Sequence, residues 1–239
     1  MIILSCDTSF GIASTSVIKE GKVISFISES ERSMQAEFLA NQILQCLTDA
    51  DLSLEDIDSF SASIGPGSFT GVRIGVSTLK AISYASKKDF LGVLTTESLA
   101  NKYFSNHESK NVYCCMNAGK SQLYVQKFSD RIINSNIDEV SNIEYDELGK
   151  LIKENKKDDF IFNNEKDLKK IKESLSDEDS KNLILDVYDA RDIGLACLNL
   201  LNLNEGELKI KTGERALPIY VRGADAIKPK RKVNLNIDF

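Results

Sequence analysis

The order in which apolar periodicity changes along this chain constrains its fold more than any single residue. A unit of three strands, a helix, a strand and a helix appears twice, with extra β-α units. In the first, residues 2–6 form an apolar run that stops at Asp7-Thr8-Ser9. Residues 11–18 and 23–29 then alternate around a turn at 19–22, the pattern of a β-meander. Residues 33–50 switch to helical period through Ala36, Leu39, Ile43, Leu47 and Ala50, with Ser33 placed to cap and Phe38 adding a second apolar flank. A strand at 58–64, a glycine loop at 65–71, a helix to about 86, a strand at 90–94 and a helix at 97–103 follow. The second unit is read as a meander (111–118, 121–128, 130–137), a helix (144–155), a strand (159–163), a solvated helix and loop (164–181), a strand (183–187) and a helix (190–203). Such an order predicts an α/β protein of mixed sheets covered by helices, in two similar lobes. No Pro/Gly/Ser linker separates the halves, so packed lobes are expected.

Composition narrows the class. The 239 residues, 42% hydrophobic and 28% charged, fit a folded protein and not a disordered one. No apolar run approaches the ~18–20 residues of a membrane span, so no membrane association is expected. The start, MIILSCDTSF, lacks a basic region and a small-residue cleavage site, and a cytoplasmic location is expected. Cys6, Cys46, Cys114, Cys115 and Cys197 contain no C-x-x-C pair and read as reduced, buried thiols. The single His107, in a polar turn, cannot supply an H-E-x-x-H zinc site. Net charge is −6, yet residues 209–232 carry a net +6, including Arg222, Lys228, Lys230, Arg231 and Lys232. That tail reads as a solvated end that is still able to meet phosphate.

Three features could carry chemistry. The loop GPGSFTGVRIG, residues 65–75, joins a strand to a helix. Gly65, Gly67 and Gly71 let a ligand or another backbone come close, Ser68 or Thr70 can cap the helix, and Arg73 lies in its first turn. It matches neither a Walker A loop nor G-x-G-x-x-G, which leaves an anion site and a purely structural turn both open. Asp7, Thr8 and Ser9 suit a magnesium-water or phosphate site, or simply bond the turn's own backbone. The helices 33–50 and 70–86 are apolar on more than one side, so each is either sandwiched in the fold or half-covered by a partner.

The blocks IILSCDTS, SIGPGSFTGVRIGVSTLKAIS (63–83), GVLTTESL (92–99) and PIYVR (218–222) resemble the bacterial TsaB (YeaZ) family of tRNA threonylcarbamoyladenosine biosynthesis proteins. The resemblance implies an actin/Hsp70/sugar-kinase-like (ASKHA) fold of two RNase H-like lobes. Residues 1–98, completed by 217–239, would form the first lobe, and 99–216 the second. It implies a non-catalytic scaffold that dimerises with the catalytic paralogue TsaD and works with the ATPase TsaE. Together they transfer a threonylcarbamoyl group to N6 of adenosine 37 in tRNAs reading ANN codons. Contact with tRNA would come through the complex, and a homodimer would form when the chain is alone. On this reading the chain is not an enzyme by itself, is not a metalloprotease, and requires no cofactor, ATP or ADP and Mg entering only at the level of the complex. The partner interface would use Phe38, Leu39, Ile43, Val72, Val76 and Leu79. The candidate anion or nucleotide loop would use Asp7, Thr8, Ser9, Gly65, Gly67, Ser68, Thr70, Gly71 and Arg73, with no catalytic or metal residue. Relatives often carry a His where Met34 stands, and Asp-Ala-Arg where Asn117-Ala118-Gly119 stands. The alternative is a nucleotide-dependent phosphotransferase of the sugar-kinase type.

Overall fold

A computed structural model describes residues 1–29, 35–108, 111–129, 139–202, 212–213 and 216–221. The expectations for Met34, for a strand at 130–137 and for the basic tail from Arg222 fall outside these residues.

The first unit comprises β1 (Ile2–Asp7), β2 (Ala13–Lys19), β3 (Lys22–Glu29), α1 (Gln35–Asp49), β4 (Ser59–Gly65), α2 (Phe69–Ser86), β5 (Asp89–Leu94) and α3 (Thr95–Asn106). The second repeats that order with β6 (Asn111–Gly119), β7 (Gln122–Ser129), β8 (Ser141–Glu144), α4 (Tyr145–Glu154), β9 (Asp159–Phe162), α5 (Glu165–Lys172), β10 (Leu183–Leu185) and α6 (Ala190–Leu201). The sheets have equivalent topologies, β3-β2-β1-β4-β5 and β8-β7-β6-β9-β10. In each, the meander pairs antiparallel and the fourth and fifth strands add in parallel. These are the two RNase H-like lobes of an ASKHA-type fold.

The central strands β1 and β4 are buried on both faces, which is why β1 reads as a nearly continuous apolar run. Leu4 and Cys6 of β1 join Phe60, Ala62, Ile64 and Phe90 in a core closed by α1 and α2. Ile3, on the opposite face, joins a core shared by both lobes. There α3 and α6 lie between the sheets, contributing Leu99, Tyr103, Ile193 and Cys197 against Val112, Cys114 and Ile161. The second sheet's outer face packs Phe160 and Phe162 against Leu148, Ile152 and Ile171 of α4 and α5. Small serines let α6 dock closely: Ser5 Oγ donates to the Ala190 carbonyl at 2.7 Å, and the Ala190 N–H donates to Ser14 Oγ at 3.0 Å. All five cysteines are unpaired and buried. Burial pushes the Cys197 thiol up to about 12, so it stays protonated and packs as an apolar group.

Three expectations change. The second meander takes its third strand at Ser141–Glu144, where pairing with β7 organises a segment with little apolar content of its own. The segment 164–181 contains α5, whose Leu168 and Ile171 are buried instead of solvated. Most importantly, Leu39, Ile43, Val72, Val76 and Leu79, expected to face a partner, are buried in the first lobe's core, and Phe38 is half-buried. The physical reason is that α2 lies across β1, β4 and β5 beside α1, so the 72-76-79 stripe points at the sheet.

The start of α6 holds a titrating group. Asp189 caps the helix by accepting the Arg191 N–H at 2.9 Å, and Asp192 accepts the Asp189 N–H at 3.0 Å. Burial raises Asp192 to about 6 from 3.8, although Lys102 Nζ lies 3.9 Å away. A carboxyl raised in the folded state stabilises it fully below the unfolded value and loses that contribution as pH rises through about 6. Melting curves at pH 5 and pH 7 are expected to show the native chain losing about 1 kcal/mol through this group, a difference that Asp192→Asn flattens. An identical pH response in the variant would contradict this.

Candidate functional site

The C-terminal ends of β1, β4, β6 and β9 converge on a cleft of about 890 Å³ between the lobes. The first lobe contributes Asp7, Ser9, Gly67 and Ser68. The second contributes Asn117, Gly119 and residues Asn163–Asp167 at the start of α5. Phe10, Ile12, Tyr124, Val187 and Tyr188 supply its apolar wall.

Asp7 is 5% exposed. Its Oδ1 accepts the Ser9 N–H at 3.2 Å, the Ser9 hydroxyl at 2.6 Å and the Ser63 hydroxyl at 2.5 Å. Burial raises its carboxyl above the usual range, and these hydrogen bonds oppose the rise. Ser9 Oγ also lies 2.5 Å from the Tyr188 hydroxyl, tying β1's end to the segment before α6. Burial and the nearby Asp7 push the Tyr188 phenol well above its ordinary value, which keeps it protonated. Across the cleft, buried Asp167 accepts Asn117 Nδ2 at 3.0 Å on each oxygen, the Tyr145 hydroxyl at 2.5 Å and Asn164 Nδ2 at 2.5 Å. Every one of these donors is neutral.

The glycine loop is spent largely on packing. A Cβ on Gly71 would overlap the Thr8 carbonyl oxygen, and one on Gly67 would come 2.8 Å from the Ser9 Cβ and carbonyl oxygen. The Ser68 N–H donates to the Ser9 carbonyl at 2.7 Å, the Gly71 N–H to Ser68 Oγ at 3.2 Å, and the Thr8 hydroxyl to the Gly71 carbonyl at 2.6 Å. Gly65, at φ +104°, lies under the carbonyl of Ile219, whose N–H donates to the Ile64 carbonyl at 2.7 Å. Thr70 is exposed outside the cleft lining. Arg73 is a correction: it does not line the cleft. Its guanidinium stacks 3.7 Å over the Phe69 ring and its Nε donates to the Tyr220 hydroxyl at 2.6 Å. Residues 216–221 thereby return to the first lobe, helped by Lys80 Nζ donating to the Ala216 carbonyl at 3.1 Å.

Of the nine loop residues singled out from the sequence, Asp7, Ser9, Gly67 and Ser68 line the cleft together. Of the second-lobe half, Asn117 is marked in the sequence only by its departure from relatives, and Asn163, Asn164, Asp167 and Tyr188 are not singled out there. Their signal was positional: Asn163 and Asn164 follow β9 as Gly65 and Pro66 end and follow β4. A nucleotide phosphate does not suit these residues. The Ser68, Gly71 and Val72 N–H groups are committed internally, Arg73 is turned away, and the lining side chains include Asp7, Glu165 and Asp167 against Lys166 alone. No three His, Cys, Asp or Glu side chains converge as a metal-ligand set among the described residues. No described helix is long and apolar enough to cross a membrane.

Comparison with known proteins bears on this arrangement. The family model described as TsaD, tRNA N6-adenosine threonylcarbamoyltransferase, matches residues 32–185, well over half of the chain. The chain is 32% identical over 123 residues to the tRNA threonylcarbamoyladenosine biosynthesis protein TsaB of Buchnera aphidicola subsp. Schizaphis graminum, covering 52% of this chain and 58% of that protein. It is 23% identical over 139 residues to the TsaB of Haemophilus influenzae, covering 58% of each. It is also 28% identical over 175 residues to a tRNA N6-adenosine threonylcarbamoyltransferase of Staphylococcus aureus, covering 64% of this chain and 50% of that one. The chain thus spans about three-fifths of the length of the TsaB relatives it matches. Among solved structures, YeaZ from Pseudomonas aeruginosa superposes with a TM-score of 0.65 at 20% identity, over 92% of this chain and 99% of that one. An uncharacterized protein with similarity to peptidase YEAZ from Pseudomonas aeruginosa gives 0.67 at 18% identity with the same coverage. At these identities the structural likeness establishes the fold.

Proposed function

The chain belongs to the TsaD family of tRNA N6-adenosine threonylcarbamoyltransferases, with TsaB proteins among its relatives. From that premise we propose that it is a non-catalytic scaffold subunit. The reaction it serves moves a threonylcarbamoyl group onto N6 of adenosine 37 in tRNAs reading ANN codons. It acts by pairing with a TsaD-type catalytic paralogue.

The observation that carries this reading is the outer surface of the two helices covering the first sheet. Tyr84 is 87% exposed and Leu44 is 59% exposed, while Ala81 and Ala85 are exposed and Ile74 and Ile82 half-buried on the same helix as Tyr84. Side chains of this kind, left open on helices whose inner stripe already fills a core, suit a protein partner. The interface therefore moves from the buried 72-76-79 stripe to the outward faces of α1 and α2. When the paralogue is absent, a second copy takes the same face. The ATPase TsaE and tRNA join through the complex, in the cytoplasm. The cleft contributes no catalytic group in this scheme: Asp7 Oδ1 and both Asp167 oxygens are held by neutral donors of the chain itself.

The test is a reconstituted transfer assay. The catalytic paralogue is supplied with threonylcarbamoyl adenylate and tRNA, with and without the full chain. Modified adenosine is expected to form efficiently only when the chain is present, and the chain alone is expected to form none. Full transfer without it would overturn the proposal.

A further inference from the structure

The inter-lobe cleft supports an inference that is independent of the partner surface. All of Asp7's hydrogen bonds end on Oδ1. Its Oδ2 has no partner among the described residues, although the side chain is 95% buried and lines the cleft. Oδ2 is thus the carboxylate oxygen left open to the cleft on a residue otherwise enclosed, and a charge-assisted donor can meet it there.

We propose that this cleft binds an organic ammonium ion on Asp7 Oδ2, in the place where a nucleotide phosphate would otherwise be expected. Three observations converge on that chemistry. The lining is net acidic, Glu165 and Asp167 adding to Asp7 against Lys166, so it attracts cations and repels phosphate. The space, about 890 Å³, is far larger than a bare metal ion needs, and no described set of three ligand side chains is present to replace a divalent ion's water. The wall opposite the polar floor is apolar, with Phe10 beside Tyr188 and with Ile12 and Val187 exposed, which suits a carbon skeleton. Serine and asparagine oxygens at Ser68 and Asn163 lie along the same lining and can accept the remaining ammonium protons.

The test is calorimetry on the full chain at constant ionic strength with four probes: putrescine, spermidine, ATP and magnesium chloride. Saturable one-to-one binding is expected for the amines, and none for ATP or magnesium. Asp7→Asn keeps Oδ1 for Ser9 and Ser63 and turns Oδ2 into an amide nitrogen. It is expected to weaken amine binding about tenfold or more. Lys166→Ala, on an exposed side chain remote from the core, is expected to strengthen it about two- to threefold. The second variant carries the test even where the first one unfolds, which its unliganded melting curve reports. Saturable binding of ATP or of magnesium alone overturns the proposal. So does the absence of amine binding, or amine affinity unchanged in both variants.

Discussion

Gly71→Ala is expected to destabilise the chain by about 3 kcal/mol or more, the upper end of what overpacking costs. The added methyl would overlap the Thr8 carbonyl oxygen, a backbone atom that cannot rotate away. Relief requires moving either the end of β1 or the first turn of α2. Both are fastened by the Ser68 N–H to Ser9 and by the Thr8 hydroxyl to Gly71. Chemical denaturation would measure it: the midpoint should fall steeply, with Thr70→Ala, on an exposed neighbour, close to the native value. A Gly71→Ala chain as stable as the native one would mean that the glycine is kept for a ligand and not for packing.

The two sides of α2 are expected to behave oppositely. Leu79→Ala removes a fully buried side chain and should cost about 2–5 kcal/mol of stability. Tyr84→Asp changes a side chain that the fold leaves almost wholly in solvent, and should alter stability by less than about 0.5 kcal/mol. Its expected effect is on association, a loss of about tenfold or more in affinity for the catalytic paralogue, as for an aromatic anchor. Thermal melts of both variants and a binding titration of the second separate packing from docking. A Tyr84→Asp chain that unfolds would place that residue in the core; one that binds normally would remove it from the interface.

How much of this was legible follows from where each signal resides. Strand alternation and helical period are local, so most elements and their order could be read directly, including the end of β1 at Asp7, while α2 begins at Phe69, inside the glycine loop and not after it. The strand Ser141–Glu144 was not legible, because SNIE owes its form to pairing with β7. Nor was the buried side of α2. Val72, Val76 and Leu79 form one apolar stripe, Ile74 and Ile82 a shoulder, and only the sheet beneath decides which is covered. At the cleft, the first-lobe half is contiguous in sequence and announced itself. The second half depends on β9 lying parallel beside β6, which brings Asn163 and Asp167 to Asn117 from about 50 residues away. Arg73 misled because its partner, Tyr220, lies 147 residues along the chain.

The central claim is that this chain is a partner subunit docking through the outward faces of α1 and α2. Sedimentation velocity of the full chain mixed with its catalytic paralogue, at micromolar concentrations of each, tests it most directly. The predicted result is a single faster species of the summed mass for the native chain, and two separate species when the Tyr84→Asp chain, folded by its melting curve, is used. Native chain and paralogue sedimenting separately, or an undiminished complex with the variant, would contradict it.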